Sequence, residues 1–227
     1  IDVTAYYSIS TTFGILKVNQ IQLGSLTAEW STTNLGTATW TAVSSSLVTV
    51  TYNVTLYRGS SVVETKTGLT ATTYNFASKI RSTGGGTYTF KVVAASSNTT
   101  NVANSSEATS NNLQAVSIVV EAQTGIASVS VNGKGTYVAF NGETGIAISA
   151  TSSNGYNFAN WSSSHSDVSV ASTTSASTTV SVKSGTTQTE VKITASAQII
   201  SYTITYKTDG GNISGTGYTT TFTVVEE

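Results

Sequence analysis

The chain has 227 residues, ten Lys and Arg against eleven Asp and Glu, and a formal net charge of -1. That length suits several small domains of roughly 100 to 150 residues or fewer, and ten scattered cations make no basic stripe able to neutralise the phosphates of a nucleic acid. Only 9% of residues are charged, where about 25% is usual, and Ser and Thr supply roughly a third of the chain, so the expected surface is hydroxylated rather than ionic.

From the N-terminus, residues 1 to 16 carry Tyr6, Tyr7, Phe13, Ile15 and Leu16 in a strand-like segment with no module of its own. The chain starts at Ile1 without a leader, which reads as a mature or excised piece of an exported protein. Next, Val48, Val50, Tyr52, Val54 and Leu56 alternate, as do Tyr88, Phe90, Val92 and Ala94; later Ile146, Ile148 and Ala150 repeat the pattern. Alternation of period two predicts half-buried strands, and a single helical turn is expected around Phe76 to Arg81. Turn residues punctuate the runs at Arg58-Gly59-Ser60, Gly84-Gly85-Gly86, Asn132-Gly133, Asn141-Gly142, Asn154-Gly155 and Asp209-Gly210-Gly211. Short strands with such turns indicate meanders and sandwiches, so the fold class is all-β. The polar stretch 96–112 predicts a loop, a last strand and a boundary. The Ser- and Thr-rich stretch 172–179 predicts a loop and a weakly buried edge strand. Apolar runs such as Val116 to Val120 fall far short of the roughly 20 residues of a membrane-spanning helix.

Within residues 17–113, the segments Gly36-Thr37-Ala38-Thr39-Trp40, Tyr52 to Gly59, Thr73 to Phe76 and Gly86 to Ala94 resemble the fibronectin type III-like domains of bacterial surface proteins. The resemblance implies an immunoglobulin-like sandwich in which Trp40 and Tyr52 fill the core. It also implies that Trp40 lies on the second strand and that Tyr88 is the corner tyrosine before the penultimate strand. Within 114–198, Tyr137, Gly142, the strand Ile146 to Ala150 and above all Gly155-Tyr156-Asn157-Phe158-Ala159-Asn160-Trp161 resemble a divergent internalin-type B-repeat. Here the spacing places Tyr156 and Phe158 on one strand face, with Trp161 beyond a kink. Residues 199–227, from Tyr202 to Gly215 in particular, resemble the opening hairpin of a related β-grasp repeat. Fewer than 30 residues bury no self-sufficient core.

Chemistry is sparsely signalled. The one histidine, His165, stands beside Ser162 to Ser164 and Asp167, but triad members normally converge from separate elements, so a solvated loop histidine is the expected reading. Neither a catalytic group nor a cofactor or metal site is indicated: cysteine is absent, the carboxylates are dispersed, and no calcium-loop pattern occurs. Gly84-Gly85-Gly86 and Gly133-Lys134-Gly135 lack phosphate-loop spacing and read as turns. Tyr6, Tyr7 and Trp30 stand outside the alternating runs and form the candidate platform for stacking a sugar ring. Lys17, Lys91 and Lys192 are the candidate donors of an intramolecular Lys–Asn amide, which requires a buried lysine.

The two resemblances imply a bacterial cell-surface or filament-forming protein, extracellular and not an enzyme, that works by adhesion, spacing or display. Its expected partners are surface glycans, host proteins or further copies of itself, the N-terminal segment of one copy completing the C-terminal hairpin of the next. The rival readings are an accessory carbohydrate-binding segment of a secreted enzyme and a phage decoration or tail protein.

Overall fold

A computed structural model describes residues 7–12, 15–203 and 221–223. The chain is all-β, with one short helix among the described residues, and it divides into two compact units. Unit 1 comprises Ile1–Val116 together with Val138–Asn141 and Thr187–Thr189; unit 2 comprises Ser117–Tyr137, Gly142–Thr186 and Glu190–Glu227.

Unit 1 opens with β1 (Tyr7–Thr12), which pairs antiparallel with β2 (Ile15–Gln22). The end of β2 then pairs in parallel with β9 (Val102–Ala103). The N-terminal segment, read from sequence as lacking a module, therefore has a partner strand in its own chain. Beyond it lies a sandwich. One sheet has the order β3 (Ala28–Trp30), β4 (Thr37–Trp40), β7 (Thr73–Asn75). The other sets β6 (Ser61–Leu69) beside β5 (Val50–Arg58) and β5 beside β8 (Gly86–Ser96). The far side of β8 takes β10 (Ala108–Thr109) and the first residues of β11 (Leu113–Ala122). Alternation decides which side chains face inward: Tyr52, Val54 and Leu56 of β5 and Tyr88, Phe90, Val92 and Ala94 of β8 are buried, while Thr51, Thr55, Thr89 and Lys91 lie on the opposite face.

Aromatic rings close this core. Trp40 packs on Tyr52 and Phe90, with centroids 5.6 Å and 6.3 Å apart, and Trp30 meets Phe90 edge-on at 4.9 Å. The Tyr52 hydroxyl is tied to the backbone, accepting from the Val43 N–H at 2.8 Å. α1 (Ala77–Thr83), at the predicted turn, buries Ile80. It comes so close to the preceding loop that a Cβ on Gly36 would stand 2.8 Å from both the Ala77 Cα and the Phe140 ring; at φ +79° this position favours glycine on backbone grounds as well.

Tyr88 is fully buried except that its hydroxyl reaches back to donate to the Gly84 carbonyl at 2.6 Å, the bond expected of a corner tyrosine. Removing the hydroxyl in Tyr88→Phe should cost about 1 to 2 kcal/mol, because the Gly84 carbonyl loses its donor. Burial raises the phenol pKa above its ordinary value of 10.0, outweighing the opposing influence of the nearby Arg58 charge. The folded chain thus holds this proton more tightly than the unfolded one. Stability from this group is complete below about pH 10 and falls as pH rises through the folded pKa. Thermal unfolding between pH 8 and 11 should show a steeper alkaline loss in the parent than in Tyr88→Phe; parallel profiles would contradict it.

Unit 2 contains two sets of paired strands. In one, the later residues of β11 pair in parallel with β18 (Glu190–Ile199), from Ser117 opposite Glu190 to Ala122 opposite Ala195, and β18 pairs antiparallel with β15 (Tyr156–Ser163). The second has the order β12 (Ile126–Val131), β14 (Ile146–Ser152), β17 (Ser177–Val182), β16 (Val168–Val170). β13 (Thr136–Phe140) pairs with β11 and carries the chain through Val138–Asn141. Ile118, Ile146, Ile148, Trp161, Val180, Val191 and Ile193 are buried.

The stretch 172–179, expected to hold a loop and a weakly buried edge strand, leads into β17: Ser177 to Thr179 are exposed or half-buried and pair with β14, Ser181 and Val182 pair with β16, and Val180 pairs with both. Ser177, Thr179 and Ser181 occupy one face of β17, and Thr178, Val180 and Val182 the other, where the two valines are buried. The far C-terminal residues contribute β19 (Ser201–Thr203) and β20 (Thr221–Thr223), which pair antiparallel. Among the described residues no helix is long and apolar enough to cross a membrane.

Candidate functional site

The kink proposed before Trp161 is a β-bulge. Phe158 lies opposite Ala197 and Asn160 opposite Ser196, so Ala159 is the extra residue. The insertion turns Trp161 to the same face as Tyr156 and Phe158. The Trp161 indole is 2% exposed, lies 5.5 Å from the Phe158 ring and donates from Nε1 to the Ser175 carbonyl at 3.0 Å. Tyr156 and Phe158 are half-buried, and the Tyr156 ring covers Gly125 so closely that a Cβ there would stand 2.3 Å from it. These three side chains are structural, Trp161 centrally and the other two at the margin.

Trp30 requires a correction. It is 5% exposed and wedged between Phe76 and Phe90, so its faces are covered and it offers no platform for a sugar ring. Tyr6 lies outside the described residues, and Tyr7 begins β1.

His165 and Asp167 sit in the turn between β15 and β16, where their polar atoms hold the turn itself. The Asp167 backbone N–H donates to His165 Nδ1 at 3.1 Å, and the Ser163 hydroxyl donates to the His165 carbonyl rather than to the imidazole. The Asp167 carboxylate accepts from the buried Thr186 hydroxyl at 2.9 Å and stands 3.9 Å from Lys183 Nζ, while the Lys183 N–H donates to the Asp167 carbonyl. The imidazole lies 3.6 Å from that carboxylate, beyond hydrogen-bonding range. Ser, His and Asp are neighbours here without the relay that would activate a hydroxyl. The arrangement locks the 183–186 turn onto β16.

The lysines proposed as amide donors divide in a different way. Lys91 Nζ lies 2.7 Å from Glu107, and Lys192 Nζ lies 2.6 Å from Glu121; both side chains are more than a third exposed. Each carboxylate raises its lysine's pKa, first by hydrogen bonding and then by its charge. Exposed, charged and facing a carboxylate, these amines lack the burial that an amide crosslink requires. Lys17 lies in β2.

One cluster escaped the sequence reading. Where β5 ends, a depression of about 760 Å³ is lined by Arg58, Val62, Lys79, Thr83, Thr87 and Thr189. Arg58 lies across Gly86, where a Cβ would stand 2.6 Å from its Nε, and its guanidinium donates to the Thr83 carbonyl at 3.4 Å and to the Gly85 carbonyl. Lys79 and Thr83 are one turn apart on α1. Lys66, Lys91, Lys183 and Lys192 each face a carboxylate, but among the described residues Arg58, Lys79 and Lys134 face none, and of these Arg58 and Lys79 share the depression. No spacing motif signals the pair, because strand β5 and helix α1 bring them together only in the fold. Among the described residues no group of three or more His, Cys, Asp or Glu is placed to hold a metal ion. No protein family's model matches the chain, and no curated protein or solved structure matches it either.

Proposed function

We propose that this chain is a structural and adhesive module array of a bacterial surface or filament-forming protein, extracellular, acting by holding or displaying rather than by catalysis. The observation that carries the reading is how the sole histidine is used. His165, Asp167, Ser163 and Thr186 bind one another and the backbone as a turn lock, with the Ser163 hydroxyl donating to the His165 carbonyl rather than to the imidazole. The fibronectin-like reading of unit 1 gains support from Trp40 in the core against the opposing sheet and from the Tyr88 hydroxyl bonded to Gly84. Fold resemblance alone carries no activity, so the test has to be functional.

The immobilised full-length chain should retain beads coated with surface glycans or with extracellular matrix proteins. It should also turn over no ester, glycoside or peptide substrate above the buffer rate. Turnover that disappears in His165→Ala, or failure to retain any coated bead, would overturn the reading.

A further inference from the structure

We propose that the depression at the end of β5 binds an acidic sugar, with Arg58 and Lys79 taking its carboxylate. The inference deepens the adhesive reading and rests on it. The lining has a defined hydrogen-bonding polarity. The guanidinium spends two of its five N–H groups on the Thr83 and Gly85 carbonyls, which fixes its plane and leaves the others available. Lys79 adds an exposed ammonium from α1. An anion entering here meets two cations without displacing an internal carboxylate, and a carboxylate suits the planar guanidinium.

The hydroxyls say what else the ligand carries. Thr83 Oγ1 donates its proton to the Lys79 carbonyl at 2.8 Å. Thr87 Oγ1 donates to Gln114 Oε1 at 2.7 Å, an orientation fixed because the Gln114 amide nitrogen donates to the Ala115 and Gln188 carbonyls. The exposed Thr87 has spent its only proton inside the protein, so toward the depression its oxygen accepts. A ligand fitted to this lining offers a negative charge to the cations and an O–H donor to Thr87. Val62, 62% exposed on the rim, supplies an apolar surface for the C–H face of a sugar ring. A bare anion such as phosphate would use the cations alone; a uronic-acid oligosaccharide uses all three features.

The test uses the full chain and isothermal titration with tetragalacturonate, a heparin-derived tetrasaccharide and maltotetraose. Tetragalacturonate is expected to bind saturably and to weaken as salt rises from about 0.05 to 0.5 M. Lys79→Gln should lower its affinity about tenfold or more. Lys79 is an exposed helix residue, so this variant should fold normally, which circular dichroism checks. Lys134→Gln, at an exposed turn in unit 2, should bind as the parent does. Equal binding of maltotetraose, binding of the sulfated sugar alone, or equal losses in Lys79→Gln and Lys134→Gln would overturn the proposal. A chain that ignores tetragalacturonate yet retains coated beads would remove this site and leave the adhesive reading standing.

Discussion

Trp161→Ala is expected to destabilise unit 2 by about 3 to 5 kcal/mol, the range for removing a fully buried indole. The side chain does more than fill space. Its Nε1 holds the Ser175 carbonyl, and its backbone N–H donates to the Thr173 carbonyl at 2.7 Å, so the residue ties down the loop leading into β17 at two points. Truncation opens a cavity beneath Phe158 and also leaves the Ser175 carbonyl without its donor. Trp161→Phe separates the effects, since it keeps most of the volume and loses only the hydrogen bond, at about 1 to 2 kcal/mol. Trp161 is the one tryptophan of unit 2, so the variants should be followed by hydrogen exchange or circular dichroism rather than fluorescence. A loss below about 1 kcal/mol for the alanine variant would show that the bulge leaves the indole outside the core.

Trp30→Ala should cost unit 1 about as much, 3 to 5 kcal/mol by the same reasoning. Its ring is the edge-on partner of Phe90 and touches Phe76, so its removal leaves two aromatic neighbours facing a void. Trp30→Phe should be milder than Trp161→Phe. The Trp30 Nε1 is buried without a hydrogen-bond partner among the described residues, so a phenylalanine there forfeits ring area and no bond. Urea unfolding of both pairs of variants gives the comparison. If Trp30→Ala unfolds with the parent, the residue is a surface aromatic after all. Any sugar binding lost in that variant would then need to be read as recognition rather than as loss of the fold.

These two tryptophans also show what the sequence discloses. Trp161 was legible because it ends a dense aromatic motif whose spacing breaks period two, and a break of one residue in a strand means a bulge. Trp30 was not, because β3 has three residues and no alternation can register over so short a run, while its partners Phe76 and Phe90 lie 46 and 60 positions onward. Trp40, Tyr52 and Tyr88 were legible from strand alternation and local motif. In β17 the composition marked the weak burial of Ser177 to Thr179, whereas the second partner strand, β16, which pairs only from Val180 onward, left no local signal. The Arg58 and Lys79 pair was invisible for a different reason. Neither residue belongs to a motif, and only the packing of α1 beside the end of β5 places them on one depression.

The path of the chain through unit 1 bears on how the protein comes to be folded at all. Phe140 is completely buried in that unit's hydrophobic cluster, and Val138–Asn141 and Thr187–Thr189 belong to it, although the whole of Ser117–Tyr137 and Gly142–Thr186 intervenes. A polypeptide emerging from a ribosome N-terminus first therefore cannot finish its first unit before much of its second has been made. Until residue 189 is out, the sandwich lacks part of its packing and stays open to proteases and chaperones. A nascent chain arrested near residue 120 should accordingly be cut readily within unit 1, and one arrested well past residue 200 should resist.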